Sequence, residues 1–203
     1  MKITSIKQQQ KNKSRFSVFV DDKYAFSLND YQVIETKIRL NQEISEPEIK
    51  KFLSLSKLGK IYDSLLQKVS KRLHSKKELS DWLTRKKIDE DEIEYLLQKL
   101  EKLGFINDKL FADSFARGRR DYKNKSDREI MAELSSKGVD GETINEAIMN
   151  LELNEQDSLV SLIRKKQRLS AYKDETKLIQ FLLRKGYSYT SIKSAINSLD
   201  NQE

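Results

Sequence analysis

The sequence predicts a mainly α-helical chain: a tandem array of three three-helix repeats that follows a small N-terminal β-hairpin or meander. Three observations lead to this prediction. From about residue 47 onward, apolar residues recur at three- and four-residue steps, as they do in amphipathic helices. The 203 residues include only one Pro and six Gly, too few for the many turns of a β-sandwich or barrel. Finally, one residue pattern occurs three times at nearly constant spacing.

The first 45 residues are predicted to form a separate extension. Apolar and polar side chains alternate over 16–20 and again over 24–28, and two Asp and a Lys between these runs indicate a hairpin turn. Residues 3–9 could add a third strand. So small a sheet needs a partner over its apolar face, and the helix that begins near Asn29 and Asp30 is the expected cover.

The repeats are expected to follow a lead-in helix. Glu46, Pro47 and Glu48 suit a helix start, because Pro is tolerated in the first turn and acids complement the positive end of the helix dipole. The first helices of the three repeats are expected at about 61–73, 108–121 and 154–168. The predicted domains are 1–45 for the extension with its covering helix, 46–106 for the lead-in helix with the first repeat, 107–153 for the second repeat and 154–203 for the third.

The repeated pattern spans the second and third helices of each repeat. Leu79 of the first copy corresponds to Ile130, 51 residues later, and to Leu178, another 48 residues on. Each copy contains a four-residue break: first Lys, then Gly or Lys, then an apolar residue, and finally Asp or Ser. The three breaks are Lys86-Lys87-Ile88-Asp89, Lys137-Gly138-Val139-Asp140 and Lys185-Gly186-Tyr187-Ser188.

Each break is interpreted as a helix end followed by a helix start. Gly138 and Gly186 stand where a helix C-terminus favours left-handed backbone, and Lys87 is expected to adopt that conformation with some strain. The apolar residue of each break is expected in the core. The Asp or Ser that follows it is expected to cap the third helix; these residues are Asp89, Asp140 and Ser188.

Basic side chains concentrate in the first two helices of each repeat and in the loop between them. The chain has 39 Lys plus Arg against 32 Asp plus Glu, a net charge of +7. Because the same sign recurs at the same place in every repeat, we expect these side chains to bind the backbone of a polyanion; the alternative is a solvated face without a ligand. The candidate DNA-binding residues are Arg72, Lys76, Lys77, Arg85, Lys86, Arg117, Arg119, Arg120, Lys123, Lys125, Arg128, Arg164, Lys165, Lys166 and Arg168.

The third helices of the first two repeats are acidic, over 89–101 and 140–157. Phosphate would repel such a helix from a DNA groove, which argues against duplex readout in the manner of helix-turn-helix proteins. The acids are therefore expected to face either water or a protein partner. The candidate partner-binding residues, which lie beyond the cap positions, are Glu92, Glu94, Glu142 and Glu146.

The sequence shows no catalytic constellation, so a non-enzyme without metal or cofactor is predicted. The chain has no Cys, no Gly-rich phosphate loop and a single His, His74, which is expected to be exposed at a helix junction. Tyr122, between Arg120 and Lys123, is expected to be exposed and to stack on a base. The other repeat aromatics are expected mainly in the core: Trp82, Tyr95, Phe105, Phe111, Phe115, Phe181 and Tyr187.

Nothing in the sequence suggests a membrane protein. Its longest apolar runs are about four residues, whereas a spanning helix needs about 20. The N-terminus has no apolar signal core. A cytoplasmic monomer is expected.

Two motifs, one in the first repeat and one at its join with the second, resemble those of the RecX family, regulators of the RecA recombinase. They are similar to an Arg-x-x-Ser-x-x-Glu-Leu start and a Gly-(Tyr/Phe)-(Leu/Ile)-(Asp/Asn)-Asp-x-x-Phe-Ala join. The matching stretches are Arg72-Leu73-His74-Ser75-Lys76-Lys77-Glu78-Leu79 and Leu103-Gly104-Phe105-Ile106-Asn107-Asp108-Lys109-Leu110-Phe111-Ala112. Phe115-Ala116-Arg117 and residues 126–138 continue the pattern, and the resemblance covers about residues 60–200 together with the N-terminal hairpin. The Pro that often precedes the Ser motif is replaced by Leu73-His74, and many relatives with this extension run longer at the C-terminus.

This resemblance implies a non-enzymatic modulator. Such a protein binds in the groove of a filament of RecA on single-stranded DNA and mainly inhibits filament growth, ATP hydrolysis and strand exchange. The implied partners are the RecA filament and single-stranded DNA. The residues alone leave an alternative open, a helical-repeat nucleic-acid-binding protein, transcriptional or architectural, that acts without RecA. Sequence preference on duplex DNA would favour that alternative.

Overall fold

The computed structural model describes residues 1–200, and these begin with three antiparallel strands. The strands are β1 (Ile3–Gln8), β2 (Arg15–Val20) and β3 (Lys23–Asn29), hydrogen-bonded in the order β1-β2-β3. Asp21 and Asp22 both have positive φ, 47° and 62°, which forms the tight turn whose twist suits a two-residue hairpin. The predicted hairpin is therefore confirmed, and residues 3–8 do supply a third strand.

The N-terminal unit, residues 1–72, also contains α1 (Asp30–Thr36) and α2 (Glu46–Val69). The helix after Asn29 was expected to cover the sheet, but it is not the main element packed on it. The seven-residue α1 is too short to cover the sheet and buries only Gln32, whereas Phe52 of α2 packs on Phe26 with ring centroids 5.1 Å apart. The core of this unit joins that pair to neighbouring apolar side chains, Ile3, Val18, Val20, Leu28, Ile38 and Ile44.

Helix α2 is continuous over 24 residues, where the sequence predicted a lead-in helix and a separate helix at 61–73. Ser45 caps its N-terminus, accepting a hydrogen bond from the Glu48 N–H. Gly59 does not interrupt it. A Cβ at this buried glycine would lie 2.5 Å from the Gln32 side-chain oxygen, so the glycine allows α2 to approach α1 closely.

The second unit begins at Leu73 and contains only helices in its described part. They are α3 (Lys76–Arg85), α4 (Glu90–Lys102), α5 (Asp108–Lys123), α6 (Asp127–Ser136), α7 (Gly141–Met149), α8 (Glu155–Gln167), α9 (Glu175–Arg184) and α10 (Tyr189–Asp200), with a single 3₁₀ turn at Ser170–Tyr172. The helices α5–α7 enclose one apolar core and α8–α10 another. The predicted fold class is thus confirmed, and every strand of residues 1–200 lies before residue 30.

The breaks within the repeats have the predicted backbone. Gly138, Gly186 and Lys87 have φ of 78°, 84° and 57°, so all three are left-handed. The apolar residues after them, Ile88, Val139 and Tyr187, are buried. The cap prediction holds for Asp140 and Ser188, which accept hydrogen bonds from backbone N–H groups three residues on. It is wrong for Asp89, whose backbone has cap geometry but whose side chain makes no cap hydrogen bond.

Candidate nucleic-acid interface

Consecutive repeats are joined through the serine that begins the second helix of each earlier repeat. Ser75 caps α3, its Oγ accepting from the Glu78 N–H at 3.1 Å, and the same hydroxyl donates to the Lys137 carbonyl of the next repeat at 2.8 Å. Lys137 Nζ then lies 2.6 Å from Glu78 Oε1. We call this set the inter-repeat contact. It uses both hydrogen-bonding roles of one hydroxyl.

The same inter-repeat contact recurs between the second and third repeats. Ser126 Oγ accepts from the Glu129 N–H at 3.2 Å and donates to the Lys185 carbonyl at 2.7 Å. Lys185 Nζ lies 3.4 Å from Glu129 Oε1. The end of the second helix in each later repeat is therefore held against the start of the second helix in the repeat before it.

The glycine after each of these lysines is required for two reasons. Its φ is left-handed, and the neighbouring repeat occupies the place where a side chain would begin. A Cβ at Gly138 would lie 2.7 Å from Lys77 Cβ, and one at Gly186 would lie 2.7 Å from Ser126 Oγ. The sequence identified the first reason from the chain alone, and the second depends on how the repeats pack.

Two acids outside the candidate binding residues complete these junctions. Asp108 Oδ1 accepts from the Lys76 N–H at 2.8 Å, and Glu155 Oε1 accepts from the Asp127 N–H at 2.7 Å. Burial raises the pKa of both carboxyl groups. Each acid is the first residue of the first helix of its repeat, so this shared helix position was the signal that could have identified them.

Arg120 lies inside the junction of the second and third repeats, only 1% exposed. It donates to Asp127, and burial lowers the pKa of its guanidinium while the charge of Glu155 opposes that shift. Tyr187 lies in the same network and donates its hydroxyl to the Asn124 carbonyl at 2.9 Å. Arg120 is therefore removed from the candidate DNA-binding set, because a guanidinium buried in this network cannot reach a phosphate.

The neighbouring side chains of α5 do face outward. Arg117 and Lys123 are exposed and form no ion pair within residues 1–200. Tyr122 is 82% exposed, as predicted. A helix end that presents two unpaired cations beside an uncovered ring combines the groups that contact phosphates and bases in single-strand binders.

Other predicted cations of the second repeat are already engaged within the protein. Arg119 Nε lies 2.6 Å from Glu133 Oε2, and its guanidinium carbon lies 4.2 Å from the centre of the Phe115 ring. Lys125 pairs with the same Glu133. Burial would raise the pKa of this carboxyl, but its two cationic hydrogen-bond donors outweigh burial and lower it. Arg119 and Lys125 are thus less available to a ligand than Arg117 and Lys123.

The third repeat carries its cations at the end of α8. Lys165 and Arg168 are exposed and form no ion pair among the described residues, whereas Lys166 lies 4.6 Å from the centre of the Phe181 ring. Arg164 is exposed as well. The Asn124 side chain donates to the Ser158 carbonyl at 3.1 Å, joining the end of α5 to the first turns of α8. Ten residues separate Ser158 from Arg168, roughly 15 Å along a helix, so these cations form a group distinct from those of α5.

The basic residues of the first repeat are partly neutralised. Lys76 Nζ lies 3.2 Å from Glu101, and Lys77 Nζ lies 3.0 Å from Asp81. The Lys86 ammonium lies 5.6 Å from the centre of the Trp82 ring. The other two predicted cations of this repeat, Arg72 and Arg85, are exposed, and Arg72 belongs to the N-terminal unit. In the second repeat, Arg128 is exposed as well.

The four candidate partner-binding acids differ in their surroundings. Glu146 Oε2 lies 2.6 Å from Lys109 Nζ, and Glu94 accepts from the Gln98 amide at 3.1 Å. Glu142 is exposed and forms no ion pair with any described residue. Glu92 is half-buried. Glu142 is thus the exposed acid of the four whose carboxylate has no hydrogen bond or ion pair among the described residues.

Two expectations about side-chain exposure are wrong. His74 is buried, with Nδ1 3.0 Å from Glu78 Oε2 beside the first inter-repeat contact. Tyr95 and Phe105 are exposed rather than in the core. Periodicity assigned both rings to apolar helix positions, but Phe105 lies in the connection between α4 and α5, and Tyr95 lies on a part of α4 that no described element covers.

Residues 1–200 contain no group of three or more side chains arranged to hold a metal ion. Over the same residues, no helix has the length and apolar character that crossing a membrane requires.

Comparison with known proteins connects the whole chain to one family. The model of the "Regulatory protein RecX N-terminal domain" matches residues 1–45, and models of the first, second and third RecX three-helix domains match 62–100, 107–148 and 154–196. The regulatory protein RecX of Oceanobacillus iheyensis is 31% identical, covering 100% of this chain and 78% of that protein. That of Clostridium botulinum (strain Eklund 17B / Type B) is 29% identical, covering 100% and 98%.

Solved structures agree. A crystal structure of RecX from Lactobacillus salivarius is 32% identical with a TM-score of 0.60, covering 70% of this chain and 96% of that one. Another crystal structure of a regulatory protein RecX matches with a TM-score of 0.74 over 95% of this chain and 98% of its own; at 24% identity this likeness supports the fold alone.

Proposed function

This chain belongs to the RecX family of regulatory proteins, and from that membership we propose that it regulates the RecA recombinase, binding RecA filaments on single-stranded DNA and mainly inhibiting their growth, ATP hydrolysis and strand exchange. The protein acts as a cytoplasmic monomer without catalysis of its own. The observation that carries the proposal is the combination of three RecX repeats with exposed, unpaired cations on the first helices of the second and third. The role is therefore one of binding rather than of chemistry.

Single-stranded DNA is contacted mainly by the cations that no internal carboxylate neutralises. In the second and third repeats, the cations with neither a carboxylate nor a ring partner are Arg117, Lys123, Arg128, Lys165 and Arg168, and Tyr122 is available to stack on a base. The cations with internal partners contribute less, because a phosphate must compete with a carboxylate or a ring already in contact. Binding rests on backbone charge, so it depends steeply on salt and little on base sequence.

The test is RecA ATP hydrolysis measured with and without single-stranded DNA. Wild-type protein should lower the rate only when the DNA is present.

A variant with Arg117, Lys123, Lys165 and Arg168 changed to Ala should bind single strands with a slope of log K against log salt that is smaller by about 3, since each lost phosphate contact removes about 0.7. The matched control changes four exposed lysines of α2 to Ala: Lys50, Lys51, Lys57 and Lys60.

An equal slope in the variant and the wild type would show that these four cations do not touch phosphate. Sequence-selective duplex binding without any effect on RecA would instead support the alternative, a nucleic-acid-binding repeat protein independent of the recombinase.

The acidic side chains are proposed to face the recombinase, where charge complementarity sets orientation and association rate more than affinity. Charge reversal at Glu92, Glu94, Glu142 and Glu146 should leave naked single-stranded DNA bound equally or more tightly and weaken the inhibition of strand exchange. Glu142→Lys alone is the sharpest version, because it breaks no internal ion pair. If DNA binding and inhibition rise together, these acids only repel DNA and the recombinase contact lies elsewhere.

A further inference from the structure

The outer face of the N-terminal sheet carries a cluster of one cation and two rings. The strands alternate, so that Ile3, Val18 and Phe26 point into the core while Lys7, Phe19 and Tyr24 occupy the opposite face. Phe19 pairs with Tyr24 across β2 and β3, and Lys7 pairs with Ser17 across β1 and β2.

Phe19 contacts both of the other side chains. The Phe19 and Tyr24 rings meet edge to face, with centroids 6.1 Å apart and planes at 82°. The Lys7 ammonium lies 5.7 Å from the centre of the Phe19 ring. Tyr24 is 55% exposed, and Phe19 is half-buried. The packing of the unit does not account for this cluster, since its apolar core lies on the other side of the sheet.

The strands and loops of this sheet carry an excess of positive charge. Lys7, Lys11, Lys13 and Lys23 are exposed and form no ion pair within the described residues, whereas the guanidinium of Arg15 is used internally by Asp63. The acids among residues 1–29 are two aspartates at the hairpin tip, Asp21 and Asp22. Asp21 already accepts a hydrogen bond from the Lys2 N–H. The uncompensated charge favours an anionic ligand.

We propose that this face binds single-stranded nucleic acid, with an unpaired base on the Tyr24 and Phe19 rings and phosphates beside the lysines. Exposed aromatic side chains on a small sheet provide a stacking surface for unpaired bases, and neighbouring lysines follow the backbone. A base pair within a duplex cannot expose its face to such a ring. The neighbouring side chains Ser5 and Ser17 are polar, which suits nucleic acid better than an apolar protein partner. The proposal does not rest on any action on RecA.

The test uses the full chain and a fluorescent oligothymidylate, with affinity read from anisotropy. Tyr24→Ala should weaken binding roughly tenfold, the expected effect of losing one base–ring contact. Tyr24→Phe should retain the wild-type affinity because it keeps the ring, and Tyr24→Leu should not. Lys7→Gln should lower the salt slope by about 0.7. Tyr95→Ala is the matched control, removing a tyrosine of similar exposure from the acidic α4.

Circular dichroism and the urea midpoint establish that the Tyr24 variants are folded. Single-strand affinity that is equal in Tyr24→Ala, Tyr95→Ala and the wild type would overturn the proposal. So would a Tyr24→Ala variant with full affinity for DNA but weakened inhibition of RecA, because this face would then contact protein. If Tyr24→Ala weakens oligothymidylate binding but the wild-type protein has no effect on RecA, this inference is supported and the proposed function is contradicted.

Discussion

The two junctions between consecutive repeats share their backbone contacts and differ in the side chains around them. In both, a serine hydroxyl binds the carbonyl of a lysine and an acid binds the first N–H group of a helix. The second junction adds a buried Arg120 beside Asp127 and Glu155, and the hydroxyl of Tyr187. The first junction has Lys76 where the second has Asp127, and Val139 where the second has Tyr187.

This difference shows which contacts define the repeat and which are specific to one junction. The shared contacts involve backbone groups, so they persist while most neighbouring side chains change. The buried arginine network, by contrast, depends on several particular residues at once. One consequence concerns function, because the network withdraws a cation that the charge pattern assigned to DNA.

The largest effect is expected from Arg120→Ala, which should lower the free energy of unfolding by about 3 kcal/mol, because it empties the space of a fully buried side chain and leaves the half-buried carboxylates of Asp127 and Glu155 without their cation. The measurement is the urea unfolding midpoint of the full chain. Arg117→Ala, three residues earlier and exposed, should change stability by less than about 0.5 kcal/mol. Equal midpoints for the two variants would show that the network does not stabilise the second junction.

Gly138→Ala and Gly186→Ala should each destabilise by about 2 kcal/mol, through left-handed backbone strain and collision with the preceding repeat. Thermal unfolding measures both. Gly118→Ala is the control: it lies within α5, a Cβ added there would meet no described atom within 4 Å, and it should stabilise by about 0.5 kcal/mol. A Gly138→Ala variant as stable as the Gly118→Ala variant would contradict the packing at the first junction.

Ser75→Ala and Ser126→Ala should each cost about 1.5 kcal/mol, the sum of a lost helix cap and part of a hydrogen bond to the next repeat. Asp174→Ala provides the comparison, because Asp174 caps α9 at the equivalent position through the Thr176 and Lys177 N–H groups. It should cost about 1 kcal/mol. Equal urea midpoints for all three variants would show that the inter-repeat hydrogen bond contributes no stability beyond that of the helix cap.

The smallest effect concerns pH. Burial raises the pKa of Asp108 and Glu155, so the folded chain binds more protons than the unfolded chain, and their contribution to stability falls as pH rises above their ordinary values of 3.8 and 4.5. Asp108→Asn and Glu155→Gln should therefore gain stability relative to the wild type between about pH 4 and about pH 6. Glu133→Gln should show the opposite trend, because the pKa of Glu133 is lowered. Urea midpoints measured at both pH values test these trends. The same trend in all three variants would contradict the assigned directions of the pKa shifts.

The sequence was a reliable guide wherever structure depends on near neighbours in the chain. The hairpin turn at Asp21 and Asp22, the left-handed Gly138 and Gly186 and the cap at Asp140 each follow from the backbone preferences of a few consecutive residues. The repeat itself was visible because helices of fixed length must place apolar residues at fixed positions. Helix α2 was the exception, since the sequence predicted a separate helix from about residue 61 and a single helix runs over Glu46–Val69.

The candidate site was predicted less well, because exposure depends on residues distant in sequence. Arg117 and Arg120 stand three positions apart in one basic segment, yet one is exposed and the other is buried by residues from 127 to 187. Arg119 and Lys125 are likewise less available to a ligand, because both form ion pairs with Glu133.

By itself, therefore, the sequence determined the repeated helices, their turns and caps, and the segregation of charge, all of which rest on local conformational preferences and periodic burial. Only the tertiary structure decided which charges remain free. It also decided that one serine hydroxyl would serve as both a helix cap and a link to the next repeat. The physical reason is that desolvation and ion pairing depend on the distance between side chains in space, which sequence spacing does not specify once the chain turns back on itself.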